Sequence, residues 1–392
     1  MDASRRNMNT LTLAQSLGGA GPTIVISLGG IVGQLIAPDA ALATLPVSLY
    51  NLGVAAGTLP AAFIMRRYGR RLGYTFGTLI GMMGGLIAAS GIVISAFWLF
   101  CLGTIAAGLY NAYVQSFRFA AADTVADGMK ATAISRVMIG GLAAAIIGPQ
   151  VVIWTRNALP GIPYAGGFIG QSVLALLTLL VILRLRFPKP ATPGPKGMSG
   201  GRPLSQIARS PRFIMAVATG VVSYALMAFV MTAAPLAMVA CGHSVGEAAL
   251  GIQWHVLAMF GPSFFTGRLI SRFGKEKIAM TGLVLLALCA VSALSGLGLA
   301  HFWIALIFLG VGWNFGFIGA TAMITECHTA EERGKVQGLN DFLIFGSVAM
   351  ASFLAGGLVN LDGGWNLMNW LVLPTTAVIF TALAVSRRKA AA

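Results

Sequence analysis

Residues 61–77 read Ala-Ala-Phe-Ile-Met-Arg-Arg-Tyr-Gly-Arg-Arg-Leu-Gly-Tyr-Thr-Phe-Gly, four arginines set around one glycine with an apolar run on either side. Each run is long enough to cross about 30 Å of hydrocarbon. Arginine does not stay in hydrocarbon unpaired, so the basic turn belongs at a membrane face, joining two spanning helices. A second copy lies at Ser271-Arg272-Phe273-Gly274-Lys275-Glu276-Lys277, again between two apolar runs. The chain therefore reads as a repeat of membrane helices.

Composition agrees. Hydrophobic residues make up 57% of the 392 and charged residues 9%, a balance foreign to soluble domains. Apolar runs centre on 12–35, 41–64, 72–94, 97–118, 134–155, 165–186, 213–240, 247–270, 278–299, 302–325, 338–359 and 367–386, which gives twelve spans. The net charge of +15 raises nucleic acid as a partner, but no basic patch with interleaved aromatics is present. The cations fall instead in alternate loops, and with the N-terminus inside, Arg156 is the only loop cation left outside. Trp98, Trp154, Trp303, Trp365 and Trp370 gather near the outer loops, where indoles anchor at headgroups. The expected setting is a bacterial cytoplasmic (inner) membrane with both termini cytoplasmic. The first span follows a short basic tail but shows no convincing A-x-A cleavage site, so it is expected to be retained. Cys101, Cys241, Cys289 and Cys327 are scattered and form no disulfide framework.

Between the sixth and seventh spans, residues 187–211 read FPKPATPGPKGMSGGRPLSQIARSP, rich in proline, glycine and bases. The expected fold is an all-α membrane protein of twelve transmembrane helices in two pseudo-symmetric six-helix bundles, 1–186 and 212–392, with 187–211 as a cytoplasmic linker. Gly77, Gly81 and Gly85 recur every fourth residue, as do Gly312 and Gly316, which predicts close helix approach.

The two basic turns resemble the loop signature of the major facilitator superfamily, roughly G-x-L-a-D-r-x-G-r-K/R between helices 2 and 3. The resemblance covers the whole chain. It implies alternating access, with Arg66, Arg67, Gly69, Arg70, Arg71, Arg272 and Gly274 at a cytoplasmic gate. Arg66 and Ser271 stand where the family has Asp, so a gating ion pair through that position is not expected. Topology alone also accounts for a basic turn.

Inside the spans, Met227 and Met231 form M-x-x-x-M and His255 and Met259 form H-x-x-x-M, each pair on one helical face. Counted from the loop at 241–246, the pairs lie about 13 to 21 Å deep, near mid-membrane. Thioether and imidazole make a soft donor set that suits Cu(I) better than hard cations or zinc. Met238, Cys241 and His243 offer a possible entry. Methionine is also the flexible filler of apolar cores, and the chain has 17 of them.

The paired spacings resemble those of the CcoA-type bacterial copper importers. That resemblance implies Met227, Met231, His255 and Met259 as copper ligands, copper as cargo rather than a resident cofactor, and delivery toward assembly of haem–copper oxidases. Copper chaperones or oxidase assembly factors would then be partners beside the lipid bilayer. Relatives in the same branch carry riboflavin, so an organic-solute carrier remains the alternative. A flavin carrier would use stacking rings such as Tyr110, Tyr113, Trp254 and Trp313. A drug–proton antiporter is a further rival, with Gly148-Pro149 as half of its signature. Gln34, Asn111, Gln115 and Asn314 are candidates for cavity lining, though Asn and Gln also bond membrane helices together. Asp123, Asp127, Glu326, Glu331, Glu332 and Asp341 cluster at the inner face, leaving no carboxylate at mid-depth for a proton relay. No nucleophile with a base and no phosphate loop is found, so no enzyme is expected.

Overall fold

The computed structural model describes residues 3–122, 130–185, 201–329 and 332–391, and all regular structure among them is helical. The chain falls into two compact units, Met1–Thr192 with Gly242–Leu257, and Pro193–Cys241 with Ala258–Ala392. The first holds α1 (Ala3–Gly18), α2 (Gly21–Ile36), α3 (Leu45–Tyr68), α4 (Arg70–Val93), α5 (Phe97–Gln115), α6 (Phe117–Ala122), α7 (Lys130–Thr155) and α8 (Ala165–Ile182). The second holds α9 (Leu204–Ala208), α10 (Pro211–Ala240), the end of α11 (Val245–Phe260), α12 (Ser263–Phe273), α13 (Lys275–Leu294), α14 (Leu299–Ile324), α15 (Arg333–Val359) and α16 (Gly364–Ala391). Of the expected linker, 187–200 lies outside the described residues.

Ten candidate spans among the described residues are long and apolar enough to cross a membrane. They match ten of the twelve expected runs. The expected fifth span appears as the shorter apolar helix Ile139–Thr155. The expected eighth, 247–270, is corrected: it is not continuous but breaks at Gly261-Pro262 into α11 and α12. Pro262 has no N–H to give the preceding turn, and its ring crowds the carbonyl behind it. The first span is likewise two helices, parted at Gly19 and Ala20 just before Pro22.

Helix pairing repeats in the two units. In the first, α4 packs on α5 and α8, and α1 on α7; in the second, α13 packs on α14 and α16, and α10 on α15. The glycine repeats make the tightest of these contacts possible. A Cβ on Gly77 or Gly81 would enter the ring of Tyr113 or Tyr110, and one on Gly282 would enter the backbone of Gly312 and Gly316. Large apolar side chains such as Leu59, Phe342 and Val378 point outward, while Ser223, Thr266 and Asn314 are fully buried. Polar groups inside and hydrocarbon outside is the arrangement a lipid solvent selects.

The second unit begins with a clamp. The Glu332 carboxylate accepts from Arg202 N, Nε and Nη2 at 2.7, 3.0 and 2.9 Å and from Thr329 N at 3.0 Å. Arg202 Nη2 also donates to the Cys327 carbonyl at 3.0 Å. The guanidinium, with the two backbone amides, holds the Glu332 carboxyl well below the usual carboxylate range.

Candidate functional site

The soft side chains are buried, each within its own helix packing. Met227, Met231 and Met238 on α10, and Met259 on α11, are 1%, 7%, 0% and 6% exposed and belong to the second unit. His255 on α11 is buried and belongs to the first. Cys241 is exposed and His243 half-buried. Among the described residues, no three His, Cys, Asp or Glu side chains gather as a metal site would need. Gln34 and Gln115 are exposed toward the ends of α2 and α5, and Asn111 is buried in α5. Asp123, Asp127, Glu331 and the side chain of Arg66 lie outside the described residues.

At the basic turns, Arg67 lies over the Tyr68 ring at 5.7 Å, Arg70 Nη1 donates to Tyr74 Oη at 3.3 Å, and Arg272 lies over the Phe273 ring at 5.3 Å. In the second copy Lys275 pairs with Glu326 and Glu276. The nearby outer groove of about 400 Å³, lined by Ile64, Tyr68, Leu72, Thr75, Phe76 and Leu79, is almost wholly apolar and suits hydrocarbon rather than a polar heterocycle.

Asn314, a candidate both for cavity lining and for bonding helices together, makes three hydrogen bonds to side chains and backbone around the break. Its Nδ2 donates to the Met259 carbonyl at 2.6 Å and to Ser263 Oγ at 2.7 Å, while its Oδ1 accepts from Thr266 Oγ1 at 2.7 Å. Thr266 Oγ1 also donates to the Pro262 carbonyl at 2.8 Å. One amide thus gives the Met259 carbonyl, beside the Gly261-Pro262 break, a hydrogen-bond donor and ties two hydroxyls of α12 to α14.

The same helix carries a second device on its next face. Trp313 and Phe317, four residues apart on α14, stack at 5.2 Å with planes 14° apart. Tyr224 on α10 meets both edge-on, at 5.2 Å from Trp313 and 5.1 Å from Phe317, and reaches Phe345 on α15 at 5.9 Å. Phe260, closing α11, stands 6.0 Å from Trp313. Trp313 is 6% exposed, and its indole Nε1 makes no hydrogen bond among the described residues. The other four rings are half-buried. Their orientation follows from the backbone: Gly312 and Gly316 lie against Gly282, Leu286 and Ser223, and Asn314 ties α14 to α12, so α14 cannot rotate. The result is one stacked pair bordered edge-on by Tyr224 and Phe260, with a buried donor in the pair itself.

Of the four rings expected to serve a flavin, Tyr110 and Tyr113 are committed to packing on Gly81 and Gly77, and Trp254 is 43% exposed on α11. Only Trp313 sits in the cluster. Tyr224, Phe260, Phe317 and Phe345 carry no sequence signal beyond being aromatic, because their meeting requires four helices to pack.

The profile of the Major Facilitator Superfamily matches residues 8–262 and 219–392. The chain is 62% identical over 381 residues to the riboflavin transporter RfnT of Brucella anthropi, covering 97% of this chain and 96% of that one. It is 30% identical to the uncharacterized MFS-type transporter YdeG of Bacillus subtilis, over 91% of this chain and 86% of that one. Among solved structures, a mutant of the nucleoside transporter NupG superposes with a TM-score of 0.75 at 14% identity, covering 98% of this chain and 99% of that one. The xylose transporter XylE from E. coli, in a partially occluded inward-open state, gives 0.73 at 12%, covering 95% and 96%. These two likenesses support the fold alone. The similarity to a riboflavin transporter overturns the expectation of copper import, and with it the copper chaperones and oxidase assembly factors as partners. Soft side chains at helical spacing are equally the signature of flexible packing, and Met227, Met231 and Met259 are all buried.

Proposed function

We propose, from the premise that the chain belongs to the Major Facilitator Superfamily, that it is a multi-pass secondary carrier moving riboflavin across the bacterial cytoplasmic membrane. The observation that carries this reading is the 62% identity to a riboflavin transporter over nearly the whole of both chains. At that identity most positions of the two chains are shared. Alternating access follows the family's architecture, with the substrate held near mid-membrane. The excess of Arg and Lys in alternate loops supports a cytoplasmic location for both termini. The chain transports and catalyses no reaction.

The experiment is uptake of labelled riboflavin by cells that neither synthesise nor otherwise import it. Expression of this chain should restore saturable uptake and growth at low riboflavin, with cellular copper unchanged. No uptake above the vector control sinks the proposal.

A further inference from the structure

We infer that the Tyr224, Phe260, Trp313, Phe317 and Phe345 cluster is the subsite for the flavin ring, with Trp313 Nε1 donating a hydrogen bond to an acceptor on that ring. The inference rests on the riboflavin reading and adds the residues and the contact.

Two independent observations meet here. The first is chemical: the Trp313 indole N–H is buried with no acceptor among the described residues, as is that of Trp365 outside the cluster, and a polar group taken out of water and left unbonded costs free energy. A substrate acceptor would satisfy it. The second is geometric. Rings from four helices converge, and Phe317, half-buried and backed by the buried indole of Trp313, is the kind of aromatic ring on which a planar, electron-poor heterocycle stacks. The isoalloxazine ring matches both, since it is flat, apolar along its dimethylbenzene edge, and carries two carbonyl oxygens at its pyrimidine end. The ring would lie against Phe317 with a carbonyl toward Trp313 Nε1. Tyr224 and Phe345, half-buried on neighbouring helices, would close around it.

Other buried groups carry less. The soft side chains belong to a reading already overturned. The Arg202–Glu332 clamp is saturated by its own bonds, and the outer groove has no polar group to recognise a ring.

The test uses the full-length protein. Trp313→Phe keeps a ring and removes the donor. Its riboflavin KM should rise about fivefold to tenfold with kcat nearly unchanged, the effect of losing one buried hydrogen bond. Trp370→Phe, at a ring 61% exposed, should leave both constants unchanged. Flavin fluorescence supplies a readout that mere packing would not move. Riboflavin bound to the parent protein should be strongly quenched by electron transfer from the indole, and Trp313→Phe should recover much of the emission. Lumiflavin, which has the isoalloxazine ring with a methyl group in place of the ribityl chain, should compete in the parent and compete less well in the variant. Should Trp313→Phe fail to reach the membrane, Phe317→Leu, which keeps the indole and its quenching, should still raise KM and weaken competition by removing the stacked ring. If the parent takes up riboflavin while Trp313→Phe keeps its KM, quenching and lumiflavin competition, or Phe317→Leu tested in its place keeps its KM, the subsite is elsewhere and the transport reading stands. If the parent takes up no riboflavin, both fall.

Discussion

Gly69 and Gly274 hold the same backbone conformation, φ 89° and ψ 155° at one and φ 90° and ψ 148° at the other, each as the lone residue between two helices. This region is open almost solely to glycine. The two turns thus repeat in geometry as well as in sequence, although the first is ringed by arginines and the second is balanced by Glu276 and Glu326.

Replacing Gly274 by Ala should therefore destabilise through torsion rather than collision, because the nearest group a Cβ would meet is Glu276 Oε2 at 3.8 Å. The expected loss is about 1–3 kcal/mol, read as an earlier thermal midpoint of the purified protein in detergent. Gly267→Ala, with open space around it and no positive φ, should be neutral or slightly stabilising. Equal midpoints for the two variants would contradict the strain argument.

The Asn314 network gives a second expectation. Asn314→Leu removes the donor to the Met259 carbonyl and to Ser263 Oγ, at about 1–3 kcal/mol for a buried group left unpaired, while Thr266 keeps its bond to the Pro262 carbonyl. Thr266→Val removes only the hydroxyl and should cost less. Folded yield by size-exclusion chromatography should rank parent, Thr266→Val and Asn314→Leu in that order. Full yield from Asn314→Leu would show that the break needs no side-chain partner.

The Arg202–Glu332 clamp has a definite pH sign. The Glu332 carboxyl is lowered by Arg202 first and by the amides of Thr329 and Arg202 next. A group lowered in the folded state stabilises fully above its ordinary pKa and progressively loses that contribution as pH falls below the ordinary carboxylate range. Glu332→Gln should abolish this part of the pH dependence and lower the midpoint at neutral pH while changing little in acid. A parent midpoint that rises on acidification relative to the variant would reverse the argument.

The sequence shows the spans, the repeated turn and the glycine contacts because each is written locally, in hydropathy, charge or period. The break at Gly261-Pro262 is also local, and Pro262 signals it, but the apolar run on both sides hides the interruption when span length alone is counted. The substrate is less legible. Met227 and Met231 share a face whether they bind a soft ion or fill space, and spacing cannot separate the two. Trp313 is visible as a stacking candidate, but Tyr110 and Tyr113 look equivalent until their rings are found seated on Gly81 and Gly77. The cluster around Trp313 joins Tyr224 to Phe345 across the second unit, a relationship no short window contains.

The final expectation separates sulfur chemistry from packing. Replacing Met227, Met231 and Met259 together by Leu keeps apolarity and nearly keeps volume, at under about 1.5 kcal/mol for each such exchange. A riboflavin carrier has no use for three thioethers, so the triple variant should reach the membrane and keep riboflavin KM within about twofold of the parent, a difference of less than about 0.5 kcal/mol in binding. Uptake assays on cells matched for protein level provide the measurement. Selective loss of riboflavin uptake with normal folding would place sulfur in substrate recognition and reopen the role of these methionines.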